Sequence, residues 1–182
     1  MQRFSSWTIG LHWLSVGLVI GAYTSVNLKD AFSDYRISEL LRLVHFNCGG
    51  LLWGVMMARF VIFITRSKAV AIVPPIARLQ QVISKLMHYL MFACFLSLPI
   101  LGALSLALQQ QSWPFLGIMT PILGEDFKAS VQLHQFHEQI ATIGYFLVGL
   151  HALAAFYHHF VRKDNTLLRM LPGRREHHHT KP

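Results

Sequence analysis

Four long runs of apolar residues, set apart by shorter polar stretches, organise the chain. The first lies between Arg3 and Lys29, about Trp7 to Asn27. The second runs about Leu43 to Thr65, interrupted only by Arg59. The third is about Leu86 to Leu108 and the fourth about Glu138 to Val161. A helix rises ~1.5 Å per residue, so crossing a hydrocarbon layer of ~30 Å takes about 20 apolar residues. The pattern therefore predicts four transmembrane helices over 7–27, 43–65, 86–108 and 138–161. A closed barrel would need many short alternating strands in place of these continuous runs. The first run is too long, and its start too weakly basic, for a cleaved leader, and no small-residue cleavage pattern follows it. It is expected to stay attached.

Composition agrees with membrane residence: of 182 residues, 53% are hydrophobic and only 13% charged. The net charge of +8 does not indicate nucleic acid, because the cations stand beside the spans, where anionic lipid is the simpler partner. Their distribution sets the orientation, since cytoplasmic loops retain Lys and Arg. With both termini cytoplasmic, the inner side collects Arg3, Arg59, Arg66, Lys68, Arg78 and Lys85 together with the basic tail from Arg162 to Lys181. The outer side keeps Lys29, Arg36, Arg42 and Lys128 against Asp30, Asp34, Glu39, Glu125, Asp126 and Glu138. The two cysteines, Cys48 and Cys94, fall inside predicted spans and form no C-x-x-C or C-x-x-C-H pattern, which excludes covalent c-type haem and a thioredoxin-like centre.

Between spans two and three, "VPPIARLQQ" carries Pro74 and Pro75 and reads as a linker. The outer connection from about Gln109 to His134 is long, and its Trp113, Phe115 and Ile118 suit a short amphipathic cap at the membrane interface. Residues 1–172 thus form one membrane domain, and 173–182, with His177 to His179, a polar tail expected to be disordered.

The chemistry lies in the histidines. Polar side chains in a membrane are costly and tend to face the bundle interior with a partner. His137 and His151, fourteen residues apart, fall only about 40° out of line on one helix face and about 21 Å apart along it. His12 lies near the cytoplasmic start of helix one and His45 at the outer end of helix two, so each matches one of them in depth. The expectation is two facing pairs, His12 with His151 and His45 with His137. Haem b suits such pairs: neutral imidazoles fill both axial positions, and the porphyrin buries its apolar surface between helices. Gly17, Gly21, Gly49, Gly50 and Gly144 are expected to leave room for the rings, whereas Pro99 and Gly102 mark a kink in helix three. A histidine-lined transporter of divalent metal would be expected to add carboxylates or thiolates close by, and no acidic residue lies inside the spans beyond Glu138 at an edge.

Further residues gather in the inner layer. Arg59 lies on nearly the same face as His45, fourteen residues on, and is a candidate for holding haem propionates. His158 follows His151 by two turns on the same face and is a candidate for bonding or protonating a quinone. His88 falls in that layer too, and His134 stands one turn before His137 on the outer side.

Several stretches resemble the bacterial cytochrome b561 family, the small four-helix dihaem cytochromes related to cytochrome b subunits of Ni-Fe hydrogenases and formate dehydrogenases. They are "LHW" at Leu11 to Trp13, "VHFNCG" at Val44 to Gly49, "LPILG" at Leu98 to Gly102, "FHE" at Phe136 to Glu138, "GYFLVGLHA" at Gly144 to Ala152 and "HHFVRKDNTLLRMLP" at His158 to Pro172. The resemblance implies the same four axial ligands. It also implies residence in the bacterial inner membrane and an oxidoreductase that passes electrons from superoxide at the periplasmic face through two haems to ubiquinone. The alternative from another class is a haem-carrying membrane anchor that relays electrons for a partner dehydrogenase. The expected fold is all-α, a four-helix membrane bundle with two haems b and both termini cytoplasmic.

Overall fold

The computed structural model describes residues 3–66 and 72–173. Four helices dominate: α1 (Ser6–Leu28), α2 (Tyr35–Thr65), α3 (Arg78–Leu108) and α4 (Phe127–Phe160). Each is long and apolar enough to cross a membrane. Side-chain oxygens satisfy the free amides at three of the helix starts: Ser5 Oγ accepts from Thr8 N, Asp34 Oδ1 from Arg36 N and Asp126 Oδ1 from Ala129 N. At the start of α3, Gln80 reaches back to accept from Ala77 N.

Three helices are longer than their apolar runs. α2 begins at Tyr35, α3 at Arg78 and α4 at Phe127, well ahead of the expected Leu43, Leu86 and Glu138. At ~1.5 Å per residue, the 34 residues of α4 exceed the hydrocarbon thickness, so its first turns project beyond the bilayer. Helical hydrogen bonding does not stop where the lipid does.

α1 packs on α2, α2 on α3 and α3 on α4. At the seam between α3 and α4, Ser130 Oγ donates to Ser105 O at 2.9 Å and Ser105 Oγ to Ser130 O at 3.1 Å. Such small polar residues let membrane helices approach closely. The core is narrow, with Leu52, Met56, Phe92, Cys94, Phe95 and Leu98 at its centre. Large apolar side chains such as Ile20, Phe146 and Leu153 face outward, where hydrocarbon replaces water as solvent. Among the described residues, the backbone of α4 approaches neither α1 nor α2 closely.

The two ends of the described chain lie on one side. Phe4 N donates to Arg169 O, and Trp13 Nε1 donates to Met170 O at 2.8 Å. On the opposite side, where an amphipathic cap is expected, the connection folds as a hairpin of β1 (Pro114–Phe115) and β2 (Ile118–Met119). Leu116 and Gly117 form its turn at positive φ, 49° and 86°, the conformation that a two-residue hairpin of matching twist requires. The Asn47 amide on α2 clamps the hairpin, donating to Pro114 O and accepting from Leu116 N. Trp113 packs on Phe46 at 5.3 Å.

Candidate functional site

The pair on the hairpin side, expected to face outward, is assembled from all four helices. His45 of α2 and His137 of α4 face one another with ring centroids 6.2 Å apart. His45 Nδ1 lies 2.8 Å from Ala22 O and His137 Nδ1 2.9 Å from Leu98 O. A carbonyl can only accept, so each Nδ1 carries the proton and each Nε2 keeps its lone pair, the tautomer a metal-ligating histidine needs. Gly102, expected as part of a kink, has a more direct role: a Cβ there would stand 3.2 Å from the His137 ring.

The inner pair is His12 of α1 and His151 of α4, with centroids 6.4 Å apart. Arg59 is part of this layer: Nη2 donates to His12 Nδ1 at 3.1 Å and Nη1 to Ser15 Oγ at 2.5 Å, while Ser15 Oγ donates to His12 O. Among the described residues, Arg59 has no carboxylate partner. His88 joins the same layer, 5.6 Å from His151, with Nδ1 donating to Ser84 O and its ring stacked on Phe63.

The spacing of the facing rings fits an iron between them. A metal–imidazole bond is on the order of 2 Å, and the centre of a five-membered ring of ~1.33 Å bonds lies about 1.1 Å from its nitrogen. Two imidazoles on one metal therefore place their centroids about 6.3 Å apart, against the observed 6.2 Å and 6.4 Å. In both pairs the facing residues come from helices whose backbones stay apart, α1 with α4 and α2 with α4, which leaves breadth for a porphyrin.

The glycines divide by role. Gly17 and Gly49 face open space. Gly21, Gly50 and Gly144 instead admit neighbours: Cys48 Sγ at 3.1 Å from a Cβ at Gly21, the Phe115 ring at Gly50, and Tyr23 with Cys94 at Gly144. Gly144 lies in a packed belt between the two histidine levels, where Tyr23 OH donates to Ala141 O at 2.8 Å and its ring rests on Tyr145 at 4.1 Å. Close packing accounts for these three better than ring clearance does.

At the inner end of α4, His158 Nδ1 lies 2.5 Å from Asp164 Oδ2. The carboxylate has no exposed surface, and His158 keeps 17% of its own. Asp164 Oδ1 accepts from Thr166 N, and Arg162 Nε stands 3.8 Å from Oδ2. Burial raises the carboxyl's pKa, but hydrogen bonds from His158 and Thr166 outweigh it and hold the group below the ordinary carboxylate value. Asp164 is not legible as a site residue in the sequence; a lone acid in the basic run "RKDN" is the available signal. On the outer side, exposed His134 stacks parallel to His137 at 6.4 Å and pairs with Glu138 at 3.4 Å. His177 to His179 lie outside the described residues.

Residues 3–173 match the family model described as prokaryotic cytochrome b561. The chain is 38% identical over 177 residues to "Cytochrome b561 homolog 1" of Escherichia coli (strain K12), covering 96% of this chain and 100% of that protein. It is 35% identical over 175 residues to "Probable superoxide oxidase CybB" of Yersinia pestis, covering 96% and 98%. Membership implies b-type haem; His45 and His137 fit that group in donor chemistry and in spacing, and His12 with His151 fit it in spacing. With four apolar helices around paired imidazoles, the chain belongs to the prokaryotic cytochrome b561 family, as a multi-pass protein of the bacterial inner membrane that carries electrons across it.

Proposed function

We propose that the protein binds two b haems in series and conducts electrons from a donor on the outer face to ubiquinone at the inner face, with both termini in the cytoplasm. The observation that carries this reading is the pair of centroid distances, 6.2 Å and 6.4 Å, at two depths on α4. When bound, each haem supplies a one-electron couple; the protein sets its position and potential. His45 and His137 hold the outer haem, and the carbonyls of Ala22 and Leu98 fix both rings. His12 and His151 hold the inner one. Ligation through His12 Nε2 requires a proton on Nδ1, so Arg59 then donates to an anion instead, and a haem propionate is the one this layer lacks. His158, two turns from His151 on α4, is the candidate to bond a quinone.

Superoxide is the first donor to test, because a relative identical over 35% of the aligned residues is named a probable superoxide oxidase. The outer segments favour a second donor class. They carry six acidic residues against four Lys and Arg, and Lys29 and Arg42 are paired with Asp30 and Glu39. Such a surface does little to steer a small anion but suits a cationic redox protein. Superoxide generated outside vesicles that hold the purified protein and ubiquinone should reduce the haem bands and then the quinone. Haem that stays oxidised under that flux, yet is reduced by a co-purifying dehydrogenase subunit, would make the chain an electron-relay anchor.

A further inference from the structure

The segment after α4 folds back as a clasp over the inner end of the bundle. Asp164 N donates to His158 O, Asn165 exchanges bonds with the Val73 backbone, and Arg169 O and Met170 O accept from Phe4 N and Trp13 Nε1. Three parts of the chain, the N-terminal end, the α2–α3 connection and the end of α4, thus meet on one short segment. At its start sits a buried carboxylate aimed at a histidine ring.

We propose that Asp164 is a positioning residue that makes His158 a proton donor for quinone reduction at the inner face. This rests on the reading that ubiquinone is reduced beside His158. With Asp164 Oδ2 accepting from Nδ1–H at 2.5 Å, the ring is fixed with Nε2 turned away from the clasp. Nε2 would then release a proton to the nearer quinone oxygen as the quinone is reduced, and be reprotonated from cytoplasmic water; the bound haem would supply the electrons. Quinone gains two electrons and two protons in forming quinol; His158 accounts for the proton at that oxygen, and the other comes from solvent. Among the described residues, Arg162 on the clasp, 3.8 Å from Asp164 Oδ2, and Arg169 further along it are the charged groups that act on Asp164.

Asp164→Asn separates this role from support of the clasp. The carbonyl of the substituted side chain still accepts from Thr166 N, but its amide presents N–H to His158 Nδ1 and makes that nitrogen an acceptor. The ring is then held in the other tautomer, without the anion that stabilises its charged form, a substitution that spares geometry but not proton transfer. In the haem-loaded protein, ubiquinone-driven haem oxidation should slow about 100-fold, with KM for ubiquinone changed less than about twofold. Its solvent deuterium isotope effect should rise, with haem content and spectrum as in the wild type, and Asp164→Glu should recover part of the rate. His158→Gln should slow the reaction as much, and the double variant no further. Slow His158→Gln beside normal Asp164→Asn overturns the role of Asp164 alone. Normal rates in both overturn the quinone site itself. Should Asp164→Asn not fold, Asp164→Glu decides: an isotope effect unchanged from the wild type overturns the proposal.

Discussion

Arg59→Gln removes the guanidinium beside His12 and should make the inner haem harder to reduce. Nη2 stands 3.1 Å from His12 Nδ1; turning from that nitrogen to a propionate keeps the cation in this layer, on the order of 7 Å from an iron on Nε2 once the width of the imidazole and a metal–nitrogen bond of about 2 Å are counted. A unit charge at that distance contributes about 1 to 2 kcal/mol at an effective dielectric of 20 to 40. For a one-electron couple, this corresponds to about 50 to 100 mV. The cation favours the ferrous state, which carries one positive charge fewer, so its loss lowers the inner potential. The outer haem, about 21 Å away along α4 by helical rise, should move by much less. Potentiometric titration of the purified variant, resolved into two components, measures both shifts. An inner potential that is unchanged or raised, or two haems shifted equally, would refute the assignment of Arg59 to that layer.

Two further outcomes follow from local geometry. Gly102→Val would set methyl groups against a His137 ring that a bare Cβ already approaches to 3.2 Å; it should displace the outer ligand and halve haem content, leaving the inner haem's spectrum intact, and two retained haems would count against the packing described. Asp164 has a depressed pKa, so its contribution is present at neutral pH and lost only as pH falls through the folded value, below the ordinary ~3.9. Hydrogen exchange over 164–170, corrected for intrinsic rates, should stay slow from pH 7 to 5 and rise only in stronger acid; loss of protection between pH 7 and 5 would contradict it.

The spans and the pairing of histidines are legible in the sequence because both follow from fixed periods. One hundred degrees per residue puts His137 and His151 on one face, and helical rise sets their depth. The helix ends are not, since hydropathy reports the lipid boundary: α2 runs through Arg36, Glu39 and Arg42 before it meets the apolar run. The outer connection suggests an amphipathic cap and not a hairpin because its turn, Leu116 with Gly117, is a single weak signal, and the residue that docks it, Asn47, lies 67 residues away from Pro114. The division among glycines is likewise hidden. Gly17 and Gly144 look alike in sequence, and only the tertiary neighbours of Gly144, Tyr23 and Cys94, tell packing from open space. Asp164 does not stand out because the fold-back that buries it against His158 comes from the contacts of Asn165 and Met170 with distant segments.

The most direct measurement is haem stoichiometry. Pyridine haemochrome quantitation on purified protein should give two haems b per chain, and His12→Ala and His137→Ala should each leave one, with distinct remaining α bands. A single haem in the wild type, or a loss of both from either substitution in protein that stays folded, would contradict two independent bis-histidine sites.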